Sequence, residues 1–247
     1  MNQHFRKVYE TFAAGVAFVA VRDAQGNESI GSAFHVGEGV FVTARHVVDG
    51  MKIMSLATTV DSTRPIAGQD GAHEIVHHRA SGRVVRGPFF HPNDSVDVAA
   101  LIVEGIDAPT ISLGGHLDDW LENEFVLWPA LILGYPPIPF SKKPLLIAAI
   151  GEVNAVVDKY TGGHPHFVLS TMARGGFSGG PALTEHGLAL GLVTEALGRG
   201  DQPAELGYLA VLSVEPIYVC LAHHKIMPPA IHAEWGEGDA DKSFWKR

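Results

Sequence analysis

Ser178 stands in the segment GGFSGGP (residues 175–181), where four glycines surround one hydroxyl group. Glycine tolerates positive φ, so the amide N–H groups of such a segment can point toward a single oxygen atom. A cluster of donors beside a hydroxyl nucleophile can stabilise the oxyanion that forms when the hydroxyl attacks a carbonyl carbon. The segment therefore indicates nucleophilic chemistry, against the simpler interpretation of a glycine-rich turn with an exposed serine.

Two upstream segments carry the residue types that would activate this hydroxyl. A serine needs a base at hydrogen-bonding distance, and His46 in VTARHVV (42–48) can act as one near neutral pH. The imidazole in turn needs a carboxylate to orient it, and Asp97 begins the apolar run DVAALIV (97–103). The chain order His46, Asp97, Ser178 differs from the orders in subtilisin-type and α/β-hydrolase triads.

Each of the first two candidates has a rival nearby. Asp94 competes with Asp97, but it lies in the turn-like stretch HPNDS (91–95), whereas Asp97 leads directly into an apolar strand pattern. We therefore expect the carboxylate of Asp97 to be buried beside the histidine. His91 competes with His46, but it precedes a proline and is better interpreted as a residue that shapes the turn.

These segments together resemble the trypsin-like serine proteases of the chymotrypsin fold, and especially disulfide-free bacterial forms such as the HtrA/Deg protease domain. The resemblance covers roughly residues 14–220 and leaves nothing for a following PDZ domain. It implies an all-β fold of two six-stranded antiparallel β-barrels with a C-terminal helix. It rests on blocks in matching order: GSAF (31–34), GVFVTA (39–44), HP (91–92) with DVA (97–99), LGYP (133–136) and GFSGGP (176–181).

The resemblance also implies a role for each candidate residue. Ser178 would attack a peptide carbonyl, His46 would accept and then return the proton, and Asp97 would orient His46. The backbone N–H groups of Gly176 and Ser178 would form the oxyanion hole. The implied activity is that of a serine endopeptidase with a protein or peptide substrate.

The resemblance further indicates where the substrate pocket lies. Its base would be Met172, six residues before the nucleophile, and one wall would include Thr194 and Ala196. Because Met172 is not an aspartate, we expect a medium-sized apolar side chain in the pocket rather than arginine or lysine.

One departure from the pattern concerns activation. Phe177 stands where secreted digestive and clotting relatives carry an aspartate that pairs with a newly cleaved N-terminus, so the resemblance does not support zymogen activation. Two alternatives stay open: a catalytically silent barrel that acts as a binding module, and a protease activated by a regulatory partner. A third, an α/β-hydrolase esterase, fits G-x-S-x-G at residues 176–180 but requires a helix directly after the serine.

The order of apolar runs and turn residues predicts five parts of the chain. They are an N-terminal arm (1–13), a first barrel (14–115), a connection (116–124), a second barrel with a C-terminal helix (125–226) and a tail (227–247). Ser213 is predicted to cap that helix, with Pro216 in its first turn. The polar stretch 61–72 is predicted to be a loop.

Composition excludes several classes of partner. The net charge of −9 and the absence of a basic stripe disfavour nucleic acid, and no apolar run is long enough for a bilayer. The fourteen histidines show no metal-ligand spacing, so we predict neither a metal nor another cofactor. A single cysteine, Cys220, and no signal-peptide pattern favour a reducing, cytoplasmic location in a prokaryote-like setting. The sequence does not fix the oligomeric state.

Overall fold

The described strands form two closed antiparallel β-barrels of six strands each. The computed structural model describes residues 2–65, 73–114, 125–139, 141, 143–158, 164–171, 175–196 and 208–234. The first barrel has the strand order β1-β2-β3-β6-β5-β4, and the second β10-β11-β12-β9-β8-β7. The predicted chymotrypsin-like fold is therefore confirmed. The strands are β1 (Val16–Arg22), β2 (Glu28–Gly37), β3 (Val40–Thr43), β4 (Lys52–Pro65), β5 (His73–Phe90), β6 (Ala99–Glu104), β7 (Pro129–Gly134), β8 (Ile147–Asp158), β9 (Pro165–Ser170), β10 (Pro181–Leu183), β11 (Ala189–Ala196) and β12 (Tyr208–Ser213).

The pairing of β3 with β6 positions the first half of the candidate site. Both strands are short apolar runs whose side chains are largely buried, as expected for strands that are covered on both faces. Their register places Thr43 opposite Ala99. The chain leaves β3 into a one-turn helix α2 (Arg45–Val48), and it enters β6 directly after residues 97–98. This register brings His46 and Asp97 to the same end of the barrel.

The other helices lie near the first and the last described residues. The N-terminal helix α1 (Asn2–Phe12) buries Phe5 and Val8, and a 3₁₀ turn (Ala13–Gly15) leads from it into β1. Helix α3 (Glu215–His223) follows β12, and a short helix α4 (Pro229–Glu234) follows α3. None of the helices in the described part of the chain is both long and apolar enough to cross a membrane.

Two local predictions differ from the structure. Ser213 does not cap α3, because Val214 is the N-cap residue and Ser213 is the last residue of β12. The Ser213 hydroxyl is buried and has no hydrogen-bond partner among the described residues, while Pro216 does lie in the first helical turn. The predicted loop at 61–72 is also wrong in part, since β4 continues to Pro65 and pairs there with His73 of β5.

The strand that follows Ser178 excludes the esterase alternative. β10 begins at Pro181, where the α/β-hydrolase motif would require a helix. Pro181 instead pairs with Leu192 of β11, within an antiparallel barrel.

Candidate active site

His46 and Asp97 are joined by two hydrogen bonds at the end of the first barrel. The Nδ1 atom of His46 lies 2.8 Å from Oδ2 of Asp97, and the backbone N–H of His46 donates to Oδ1 of Asp97 at 2.9 Å. Both carboxylate oxygens therefore face one residue, which fixes the ring orientation and leaves Nε2 as the outer nitrogen. The Asp97 side chain keeps 28% of its exposure, so it is less buried than the sequence suggested.

The rival carboxylate Asp94 binds a different partner. Its Oδ1 accepts a hydrogen bond from Nη1 of Arg45 at 2.9 Å, and the Asp94 side chain is 90% exposed. Arg45 also donates through Nε to Asp49, and its guanidinium lies 4.6 Å from the centre of the Phe90 ring. Through these contacts Arg45, the residue before His46, joins α2 to the loop that precedes Asp97.

His91 shapes the turn that leads to Asp97. Its side chain is only 4% exposed, and its Nδ1 accepts the backbone N–H of Asn93 at 3.1 Å. The pKa of His91 is lowered to about 4, mainly by burial, and the positive charges of His164 and Arg45 contribute to the same shift. A neutral imidazole at physiological pH fits the turn-shaping role that the sequence predicts.

Ser178 lies on the second barrel but contacts the first. The backbone carbonyl of Ser178 accepts the N–H of Ser32, in β2, at 2.8 Å. Its hydroxyl donates to the carbonyl of Thr194 at 3.2 Å, and no hydrogen bond joins it to either ring nitrogen of His46 in the described structure. The structure thus brings the backbone of Ser178 to the barrel that carries His46 and leaves its hydroxyl turned toward β11.

The segment GGFSGGP (175–181) is called the nucleophile segment below, after the proposed role of Ser178. Two of its glycines hold conformations that other residues rarely adopt. Gly176 has φ +95°, and a Cβ there would lie 2.5 Å from the carbonyl oxygen of Tyr135. Gly179 has φ +84°, and a Cβ there would lie 2.1 Å from the carbonyl oxygen of Ser32. Both positions need glycine for backbone conformation and for space, because the segment packs directly against the neighbouring main chain.

The amides of Gly176 and Ser178 have no hydrogen-bond acceptor within the described part of the chain. Unpaired backbone donors are uncommon inside proteins, because they lose their hydrogen bonds to water without replacement. Both N–H groups are therefore free to donate to another acceptor, and successive backbone N–H groups of a turn are a common kind of anion-binding donor.

The predicted pocket residues fall partly outside the described residues. Met172 lies outside them. Thr194 is 2% exposed, and its hydroxyl donates to the carbonyl of Ala210 at 3.4 Å, so its carbonyl rather than its side chain faces Ser178. Ala196 is the last residue of β11, and of this residue the structure describes the backbone.

Phe177, which lies between Gly176 and Ser178 in the sequence, is part of the hydrophobic core. Its side chain is 3% exposed, and a Cβ on Gly134 would lie 2.7 Å from its ring. Phe177 therefore anchors the segment through apolar packing at the position where zymogen-type relatives are expected to use an ion pair.

Sequence reasoning overlooked Ser32, which makes four hydrogen bonds at this site. It lies in the GSAF block, and the signal that could have revealed it is a lone hydroxyl within the apolar run IGSAF (30–34). Among the described residues, no group of three or more His, Cys, Asp or Glu side chains is placed to hold a metal ion.

Two six-stranded barrels, with the His46–Asp97 pair on the first and Ser178 on the second, have the organisation of a trypsin-like peptidase. The family model of the trypsin-like peptidase domain matches residues 31–192, and the chain belongs to that family. No curated protein matches the sequence of this chain.

Solved structures of bacterial proteases share the fold. The HtrA-type protease AlgW, solved with a tripeptide, is 18% identical with a TM-score of 0.60, over 92% of this chain and 64% of AlgW. The active form of the Rv3671c protease from M. tuberculosis is 19% identical with a TM-score of 0.61, over 89% of this chain and 85% of that chain. A serine endoprotease from Yersinia pestis is 15% identical with a TM-score of 0.58, over 90% of this chain and 66% of that chain. This chain therefore spans less than two thirds of the length of AlgW.

Proposed function

We propose that this protein is a serine endopeptidase that hydrolyses peptide bonds through an acyl-enzyme intermediate. The observation that carries the proposal is the pair of hydrogen bonds that orients the His46 imidazole on Asp97. The segment before His46 packs against the Ser178 segment, since a Cβ on Gly179 would lie 2.9 Å from the backbone nitrogen of Ala44. Membership of the trypsin-like peptidase family supports the same reaction class.

In each of the two halves of the reaction, His46 accepts one proton and then returns it. Nε2 of His46 takes the proton of the Ser178 hydroxyl while Oγ bonds to the substrate carbonyl carbon. The C–N bond then breaks, and the same proton moves to the leaving amine. A water molecule attacks the resulting ester with His46 again as base, which releases the carboxylic acid and restores the hydroxyl. Asp97 stabilises the imidazolium in each step.

The amides of Gly176 and Ser178 are the proposed oxyanion donors. Their lack of acceptors among the described residues supports this role, as does the glycine conformation at Gly176. Removal of one oxyanion donor typically costs about 2.7–4 kcal/mol of transition-state stabilisation. The donors are backbone groups, so substitutions reach them through the residues that hold the segment in place.

We expect a protein or peptide substrate, and a peptide in the AlgW structure supports this substrate class. An apolar side chain next to the cleaved bond remains our expectation, because Met172 offers no charge to a basic group.

Activation on binding is a second candidate that one observation favours. The Ser178 hydroxyl donates to the Thr194 carbonyl rather than to His46, so it must turn before it can transfer its proton. Catalytic hydrogen bonds are often long or poorly aligned in ligand-free enzymes and form only with substrate bound. A peptide that occupies the cleft, supplied by the substrate or by a regulatory partner, would then complete the site.

The test is proteolysis of a denatured protein mixture, with new N-termini identified by mass spectrometry. We expect cleavage by the wild type, none by Ser178→Ala, and wild-type cleavage by Ser213→Ala, which also removes a buried serine hydroxyl. Cleavage by the wild type only after addition of a peptide or a partner supports activation on binding. Equal cleavage by wild type and Ser178→Ala would contradict the proposal.

A further inference from the structure

We infer that Ser32 is a positioning residue that holds the oxyanion donors of the nucleophile segment in place. This inference rests on the proposed function. Ser32 belongs to β2 of the first barrel, is fully buried, and contacts the segment of the second barrel that carries Ser178. It contributes no group to the reaction, so its effect must pass through the backbone of residues 176–179.

All hydrogen-bonding groups of Ser32 are engaged. Its hydroxyl donates to the carbonyl of Gly176 at 2.6 Å and accepts the N–H of Tyr135 at 2.9 Å. Its backbone N–H donates to the carbonyl of Ser178 at 2.8 Å, and its carbonyl accepts the hydroxyl of Thr43 at 2.7 Å. Three of these four bonds cross from the first barrel to the second.

The two bonds to the nucleophile segment fix alternate peptide planes. The Gly176 carbonyl belongs to the plane between residues 176 and 177, and the Ser178 carbonyl to the plane between 178 and 179. The Ser178 N–H lies in the plane between them, so both neighbours of that donor are held by Ser32. The Gly176 N–H lies in the preceding plane, separated from a fixed plane only by the torsions of Gly176.

Those torsions are the weak point of the segment. Gly176 has φ +95°, and glycine has a wide range of accessible torsions, so an unanchored plane on either side can rotate at low cost. The serine side chain opposes this rotation from a strand of the other barrel, where neighbouring strands restrain it on both sides. Tyr135 holds the serine hydroxyl in the orientation that points its proton at Gly176.

The consequence is specific to the transition state. Loss of the Ser32 hydroxyl frees the Gly176 carbonyl and lets both oxyanion donors drift, while the strands of the two barrels keep their positions. A misplacement of this kind typically costs about a hundred-fold in rate. We therefore expect the chemical step to slow with little change in ground-state binding.

The experiment measures labelling of the enzyme by an alkyl fluorophosphonate as a function of probe concentration. It yields the maximal labelling rate and the concentration at half-maximal rate separately. For Ser32→Ala we expect a roughly ten- to hundred-fold lower maximal rate with an unchanged half-maximal concentration. Ser32→Cys keeps a similar volume with a weaker donor, and we expect an intermediate rate. Ser213→Ala is the matched control, since it removes an unpartnered buried hydroxyl and should label like the wild type.

Each outcome decides one claim. A purely structural role for Ser32 predicts a lower melting temperature and a wild-type labelling rate in the folded fraction, and that result would overturn the inference. If Ser32→Ala does not fold, the Ser32→Cys rate decides in the same way. An unlabelled wild type would contradict the proposed function itself, and with it this inference. A labelled wild type with an unchanged Ser32→Cys rate would contradict the inference alone.

Discussion

In the first barrel, His46 and Asp97 are already joined by two hydrogen bonds, whereas in the second barrel the Ser178 hydroxyl bonds to Thr194 of its own barrel. The difference follows from how each part is built. The histidine and the aspartate flank two paired strands, so the strand register brings them together. The serine sits on a glycine-rich segment whose position depends on contacts with the other barrel. The proposed base is therefore held within one barrel, and the position of the proposed nucleophile depends on contacts between the two barrels.

The largest expected effect comes from removal of a residue that acts directly. Ser178→Ala or His46→Ala should lower kcat by about a million-fold, as in subtilisin-type triads. The measurement is kcat on a peptide that carries a mapped cleavage site, with unchanged far-UV circular dichroism as the folding control. Substantial residual activity in either variant would show that another residue supplies the nucleophile or the base.

For the part of the site on the first barrel, we expect a large difference between the effects of substituting two aspartates. Asp97→Asn should lower kcat by about ten thousand-fold, because the amide favours the wrong tautomer of His46. Asp94→Asn removes an exposed pairing with Arg45, worth at most about 1 kcal/mol, and should leave kcat nearly unchanged. The measurement is kcat of both variants from steady-state kinetics at one pH. Equal losses would mean that Asp97 has no special relation to His46.

For the segment that carries Ser178, we expect two glycine substitutions to lower the free energy of unfolding by different amounts. Gly179→Ala and Gly50→Ala both force alanine into positive φ, at a cost of roughly 1–2 kcal/mol each. Only Gly179 also meets the neighbouring barrel, at the carbonyl of Ser32, whereas the space around Gly50 is open. Urea unfolding should therefore show a clearly larger loss of free energy for Gly179→Ala. Similar losses would mean that the segment yields easily and that the barrels are less tightly coupled at this point.

His91 predicts a pH-dependent stability of the first barrel. Its pKa falls from 6.5 to about 4 on folding, so the unfolded chain binds more protons between these values. Stability should be complete above pH 6.5 and decline by up to about 3 kcal/mol as the pH falls toward 4. Urea unfolding at several pH values should show this slope reduced in His91→Gln. The exposed His186→Gln is the matched control and should keep the wild-type slope.

The smallest effect concerns the single cysteine. Cys220 is fully buried in α3, and burial raises the pKa of its thiol to about 12. Because the thiolate is the reactive form, Cys220 should resist a thiol-reactive disulfide reagent in the folded protein and react at once in denaturant. Absorbance of the released thiolate follows the reaction. Rapid modification of the native protein would mean that α3 leaves the barrel readily.

The sequence predicted the features that depend on chain order and local pattern. The blocks around His46 and Ser178 predicted the two-barrel fold, and the apolar strand after Asp97 correctly indicated which aspartate lies beside His46. The cap at Ser213 failed because β12 continues through that residue and buries its hydroxyl. Tertiary packing thus overrode a sound local signal.

Contacts between distant segments could not be predicted in the same way. The hydroxyl of Ser32 meets the carbonyl of Gly176 across 144 positions of sequence, and no periodicity or spacing encodes that pair. The orientation of the Ser178 hydroxyl depends equally on the carbonyl of Thr194 in β11. Such details follow from how the barrels pack against each other and not from local residue preferences.

The proposed mechanism depends above all on the activation of the Ser178 hydroxyl by His46. The most direct test treats the wild type, His46→Ala and Ser213→Ala with an alkyl fluorophosphonate and locates the label by tandem mass spectrometry. We expect a label on Ser178 in the wild type and in Ser213→Ala, and almost none in His46→Ala. A label on another residue, or equal labelling of Ser178 without His46, would contradict it.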